Sequence, residues 1–150
     1  MLVTINTDAS FHPQHKIGAF SFWMVSDKGR LFGAGELKGK IKHSTEAEFR
    51  SVLNALHFLL NKSGWSGITR IVINTDSQGV VDMVNGGKTH RWAADFKIHF
   101  NIYKRECGIE IEARKVKAHA FKDDKRKWVN SWCDKQAKKM LRKSVKSIQQ

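Results

Sequence analysis

From Met1 to Thr7 the chain sets Leu2, Thr4 and Asn6 against Val3, Ile5 and Thr7, and this period of two in a β-branched segment predicts a strand. Gly18 to Val25, rich in aromatics, predicts a second strand that stops at the turn cluster Ser26-Asp27-Lys28-Gly29. Arg30 to Leu37, with glycines at 33 and 35, predicts a third, and the short connections imply antiparallel hairpins. From Ser44 the period lengthens: Phe49, Val52, Leu53, Leu56 and Leu60 recur at three- and four-residue steps, the mark of an amphipathic helix. Ser44 or Thr45 stands where it can cap that helix, with Glu48 three residues after Thr45 as in a capping box. Ile68 to Asn74 then predicts a strand, Ser77 to Val84 a short helix stopped by Asn85-Gly86-Gly87, and Trp92 to Arg105 another helix. Ile109 to Val116 alternates again, and Trp128 to about Lys143 is helical, with Val129, Trp132, Cys133, Ala137, Met140 and Leu141 on its apolar side. The order β-β-β-α-β-α-α-β-α implies an α/β fold in which helices cover a mixed sheet.

Nothing divides this pattern. The 150 residues contain no internal repeat or low-complexity linker and one proline, Pro13, so residues 1–150 are read as a single domain with a basic C-terminal helix and tail from about 128 to 150. Cys107 and Cys133 have neither a CxxC partner nor a zinc-finger spacing with histidine and are read as reduced thiols, Cys133 buried on its helix. Met1 to Asn6 lacks the basic start and long apolar run of a signal peptide. Val52 to Leu60 is interrupted by Asn54 and His57 and falls far short of the roughly 20 residues of a membrane span. A soluble, cytoplasmic protein with no membrane partner is expected. Two nucleotide-loop decoys also fall away. Gly33-Ala34-Gly35 lacks a third glycine and a following helix, and Gly87-Lys88-Thr89 has Asp82 where a P-loop needs glycine.

Charge narrows the partner. Lys and Arg number 27 against 14 acids, a net of +13, which points to nucleic acid. Residues 114–150 hold thirteen Lys and Arg against Asp123, Asp124 and Asp134, so most of the excess is C-terminal. Such a segment either grips phosphates without reading sequence or forms a solvated basic helix face.

Four carboxylates stand out against this basic background. Asp8 is expected at the end of the first strand, Glu48 in the first turn of the long helix, Asp76 at the end of the fourth strand and Asp134 on the last helix. Strand ends in an open α/β sheet share a crevice where ligands bind. Each acid alone has an ordinary reading: turn or N-cap residue for Asp8 and Asp76, capping-box acid for Glu48, solvated helix position for Asp134. Together they would repel one another unless a divalent cation joined them, and Mg²⁺ takes such hard oxygen ligands beside substrate phosphates.

Five segments, in order, carry a resemblance. Thr7-Asp8-Ala9-Ser10, Thr45-Glu46-Ala47-Glu48-Phe49, Asn74-Thr75-Asp76-Ser77-Gln78, Val116-Lys117-Ala118-His119-Ala120 and Asn130-Ser131-Trp132-Cys133-Asp134 make the chain resemble type 1 ribonuclease H from about residue 2 to 142. The resemblance implies a ribonuclease H-like fold: a mixed five-stranded sheet, three antiparallel strands then parallel strands, with helices on both faces. It implies an endoribonuclease that hydrolyses the RNA strand of an RNA–DNA hybrid, leaving 5′-phosphate and 3′-hydroxyl ends. Asp8, Glu48, Asp76 and Asp134 would be catalytic acids that bind two Mg²⁺ ions, with Mn²⁺ as an alternative. Glu46 is the rival for the helical acid; Glu48 is preferred because it precedes Phe49 as the family's glutamate precedes its helix core. His119 matches a mobile family histidine that assists proton transfer or product release. Ser44, Thr45, Trp92 and Lys117 are the candidate substrate contacts, and the enzyme is expected to be a monomer.

One departure concerns how substrate is held. His119 follows Asp76 by only 43 positions, a shorter span than in members with an additional helix and basic loop. Lys88, His90, Arg91 and Trp92 read either as a remnant of that element, with Trp92 a stacking surface, or as an ordinary helix start with Trp92 in the core. Two rival functions fit the same fold: a non-catalytic nucleic-acid-binding module and a structure-specific DNA nuclease. Retention of all four acids speaks against the first, and Lys117-Ala118-His119 against the second.

Overall fold

A computed structural model describes residues 1–87, 94–116 and 124–149. Its elements follow the expected order: β1 (Leu2–His12), β2 (Ile17–Ser26), β3 (Gly29–Glu36), α1 (Ser44–Asn61), β4 (Arg70–Thr75), α2 (Gln78–Val84), α3 (Ala94–Glu106), β5 (Glu110–Lys115) and α4 (Asp124–Gln149). The five strands form one sheet ordered β3-β2-β1-β4-β5. β1, β2 and β3 form an antiparallel meander, while β4 pairs parallel to β1 and β5 parallel to β4. In the β2–β3 hairpin, where Ser26 faces Gly29, the glycine takes φ +122°, a conformation L side chains resist.

The pleat sorts side chains onto two faces. Val3 and Ile5 of β1, Phe22 and Met24 of β2, and Ile71 and Ile73 of β4 are buried in the main core with Phe49, Val52, Leu56 and Leu59 of α1. Val80, Met83 and Val84 of α2 and Phe100 of α3 complete that side. Each such large side chain contributes roughly 1.5–3 kcal/mol by leaving water. The opposite face carries Asn6, Ser21 and Trp23 beneath α4: the Ser21 hydroxyl donates to the Cys133 carbonyl, and Asn6 bonds Asn130. Helices therefore cover both faces, as expected.

Three boundaries differ from the sequence reading for physical reasons. β1 runs to His12 rather than stopping near Thr7, because β2 supplies backbone partners as far as His12↔Ile17 whatever the polarity of the side chains. Asp8 thus lies inside a strand, paired with Ser21, and not at a strand's end. The long helix is capped by His43 in extended backbone, not by Ser44 or Thr45, which are its first two residues. The last helix is longer at both ends than the span from 128 to 143.

Candidate active site

The register of the parallel pair places the first two acids. β1 and β4 pair as far as Asn6↔Asn74, and Asp8 and Asp76 each lie two residues further along. A step of two keeps a side chain on the same face, so both carboxylates leave the sheet side by side where β4 ends. Neither has the ordinary role that its sequence neighbourhood permits. Ser77, not Asp76, caps α2 by accepting from the Val80 amide, and Asp8 accepts from the Ala9 amide at 2.9 Å.

Glu48, five residues into α1, is the third member. One oxygen from each of Asp8, Glu48 and Asp76 lies within 4.8 Å of the others. Glu46 is engaged elsewhere, accepting the Lys42 amide at 2.7 Å across the start of the helix. That bond gives Glu46 the capping part that the sequence allowed for Glu48, and leaves Glu48 free to enter the crevice. Its Oε2 is buried with no hydrogen-bond partner.

Asp134 borders the trio without joining it. It is half-exposed on α4 and ion-paired with Lys138 at 3.0 Å, yet near enough for its charge to act on Asp8 and Asp76. Ser44 is exposed, and Thr45 directs its methyl toward Gly79, where a Cβ would lie only 3.0 Å away; the glycine lets α2 start close against α1. Trp92, Lys117 and His119 lie outside the described residues, as do Lys88, His90 and Arg91.

Electrostatics reveal the cost of this gathering. Burial, and then the Asp76 charge, push the Asp8 carboxyl up to about 7 against the Ala9 amide and the Lys138 cation. Burial and the charges of Asp8 and Asp76 raise Glu48 well above its usual range, and burial raises Asp76 as well. Asp8 and Glu48 are largely withdrawn from water while Asp76 stays exposed at the mouth, and no cation of the described chain sits inside the cluster. An all-oxygen donor set with an orphaned buried oxygen fits a hard divalent cation.

A feature that the sequence reading missed underlies the acids. The Asn74 side-chain amide donates to Asn6 Oδ1 at 3.1 Å, and the Asn6 amide donates to Asn130 Oδ1 at 2.8 Å. Each asparagine precedes a carboxylate on its own element: Asn6 and Asn74 by two strand residues, Asn130 by one helical turn before Asp134. The amide chain therefore ties β4, β1 and α4 together directly behind the acids. Asn6→Leu is expected to cost about 1–3 kcal/mol in urea denaturation, since it leaves two half-buried amide partners, Asn74 and Asn130, without their bonds. A loss below about 0.5 kcal/mol would show that the chain does not hold the elements in place.

Comparison with known proteins agrees with this arrangement. The profile of the reverse transcriptase-like family matches residues 6–104, a span containing Asp8, Glu48 and Asp76. The chain belongs to the reverse transcriptase-like family. LC11 ribonuclease H1, isolated from compost by a metagenomic approach and solved with an RNA/DNA hybrid, superposes with a TM-score of 0.75 at 13% identity, over 95% of this chain and 99% of its own. The N-terminal RNase H domain of Rv2228c from Mycobacterium tuberculosis, solved as a fusion with maltose-binding protein, gives 0.74 at 15% identity, over 98% of each chain. Ribonuclease H1 of the halophilic archaeon Halobacterium salinarum gives 0.68 at 18% identity, over 95% of this chain and 99% of that one. No curated protein matches the sequence significantly. The expected ribonuclease H fold is borne out, and with it the resemblance to type 1 ribonuclease H in family and fold. Among the described residues no helix is long and apolar enough to cross a membrane.

Proposed function

We propose that the protein is an endoribonuclease that cuts the RNA strand of RNA–DNA hybrids, leaving 5′-phosphate and 3′-hydroxyl ends. The observation that carries this reading is the convergence of Asp8, Glu48 and Asp76 at the end of β4, in a chain of this family with a net charge of +13. LC11 ribonuclease H1, which shares the fold, was solved with such a hybrid.

Asp8, Glu48, Asp76 and Asp134 would hold a pair of Mg²⁺ or Mn²⁺ ions. When bound, such ions supply an activated water and charge stabilisation for the departing oxygen in an in-line displacement. The chain's own contribution is geometric and electrostatic. The strand register fixes Asp8 beside Asp76, α1 delivers Glu48 already stripped of water, and the asparagine chain keeps Asp134's helix seated against β1. His119 is assigned to proton transfer or product release, and Ser44, Thr45, Trp92 and Lys117 to the hybrid backbone. Discrimination of RNA from DNA would rest on contacts with 2′-hydroxyls.

Labelled RNA–DNA hybrid, duplex RNA, duplex DNA and a four-way DNA junction, each with and without Mg²⁺, give the direct test. Cleavage confined to the RNA of the hybrid, dependent on Mg²⁺ and lost in Asp76→Asn, is expected. Cleavage of the junction would make the protein a DNA nuclease, and hybrid binding with no cleavage in any metal would make it a binding module.

A further inference from the structure

The outer side of α4 carries chemistry that the carboxylate site does not use. At 100° per residue, Trp128, Trp132, Lys135, Lys139, Arg142 and Lys146 fall within about 40° of one line along the helix, opposite the seam made by Cys133, Ala137 and Ser144. The four cations are exposed, and between Trp128 and Lys146 no acid shares their line. The stripe is roughly 27 Å long at 1.5 Å per residue.

Its aromatic end opens into a groove of about 680 Å³ lined by Trp23, Val25, Ser26, Gly29, Arg30, Trp128 and Val129. Trp23 is the floor: Phe32 stacks on it at 5.0 Å between centroids, and Trp128 and Trp132 meet it edge-on at 5.2 and 5.3 Å. Arg30 lies over the same ring, 5.8 Å from its centroid. Seating a helix on a sheet accounts for Trp23, which is buried, but not for Phe32 and Trp128, each 55% exposed beside an open groove. Among the described residues no carboxylate lines the groove; Asp27, in the adjoining hairpin turn, stays outside it.

We propose that this stripe binds single-stranded nucleic acid, with bases stacked on the aromatic groove and phosphates led along Lys135, Lys139, Arg142 and Lys146. Flat aromatic faces followed by a row of cations suit a strand whose bases are unpaired, because every base offers a π-face while a duplex hides it. A duplex would use the cations alone and leave the groove empty. An acidic peptide would satisfy the charges but has no use for a stacking floor of this size. Asp134 projects from the same helix about a third of a turn around its axis, so the strand would be the unpaired flank of a hybrid seated on the carboxylates. That last clause rests on the proposed activity; the affinity for single strands does not.

The test therefore uses chelator-treated protein, in which no cleavage occurs. A fluorescein-labelled 12-nucleotide oligothymidine is titrated against full-length protein by anisotropy and tryptophan quenching, beside a 12-base-pair DNA duplex. Tight, quenching binding of the single strand is expected, with log K falling against log salt at a slope near −3 if four cations engage, about 0.7 for each. Trp128→Ala should weaken it about tenfold or more, the value of one stacked base, and Trp128→Phe should restore most of the loss. The triple variant Lys135→Gln, Lys139→Gln, Arg142→Gln alters only exposed side chains and should flatten the slope by roughly two. Affinity within twofold of wild type in both Trp128→Ala and the triple variant overturns the proposal. So does a duplex that binds equally well and responds equally to Trp128→Ala, or a dimer in sedimentation that Trp128→Ala converts to monomer, which would make a second copy the occupant.

Discussion

Asp8→Asn is expected to reduce hybrid cleavage by more than about a thousandfold while making the metal-free protein more stable at neutral pH. Both effects have one origin. Asp8 is nearly as large as its amide and sits in strand hydrogen bonding that the substitution leaves intact, so the fold should persist. What disappears is the negative charge that burial and Asp76 oppose. The folded carboxyl titrates near 7 and the unfolded one near 3.8, so between those values the folded state binds more protons. Wild-type stability from this group is therefore fully present below the unfolded value and declines as pH rises toward 7. Asparagine does not titrate, so the variant's advantage should be near zero at pH 4 and on the order of 2 kcal/mol at pH 8. Taking the difference between variant and wild type removes the rising self-repulsion of a +13 chain at low pH. Urea denaturation of chelator-treated protein at several pH values reads it directly. An advantage that shrinks with rising pH would mean that Asp8 is not held among like charges. Adding Mg²⁺ should stabilise the wild type more than the variant, because the ion binds the folded site.

Phe49→Ala should be the most damaging core substitution, at about 3–5 kcal/mol. The ring is fully buried between α1 and the sheet and stacks on Phe96 of α3 at 5.8 Å. Against a total stability of about 5–15 kcal/mol, that loss leaves little margin. Phe49 also adjoins Glu48, so a cavity there loosens the turn that delivers the third acid. A midpoint shift equivalent to less than about 1 kcal/mol would show that α1 is anchored elsewhere.

Much of this was legible in the residues. The change from period two to period 3.6 at Ser44 marked α1 correctly, and the short connections between the first three strands, with the turn cluster Ser26-Asp27-Lys28-Gly29, identified the meander. The identities of the acids were visible, but their geometry was not. Asp8, Ser10 and His12 read as a polar strand end, and only the partner strand shows that backbone pairing continues through them. Glu46 and Glu48 compete for one role in sequence; the Lys42 amide, a contact set by how the chain enters the helix, separates them. Asn6, Asn74 and Asn130 are unremarkable polar residues until the β1–β4 register and the seat of α4 bring them into line. The aromatic groove has the same character: Trp23, Phe32 and Trp128 come from three elements, and no local period announces their meeting.

The bond between Asn6 and Asn130 joins residues 124 positions apart. Chain leaving the ribosome can make the meander and dock α1 early, because those contacts are local. The amide chain has to wait until α4 has emerged, and Asp134 cannot take its place before then. The corner where Asp134 meets the other acids is thus completed later in synthesis than the meander and α1, once α4 has emerged.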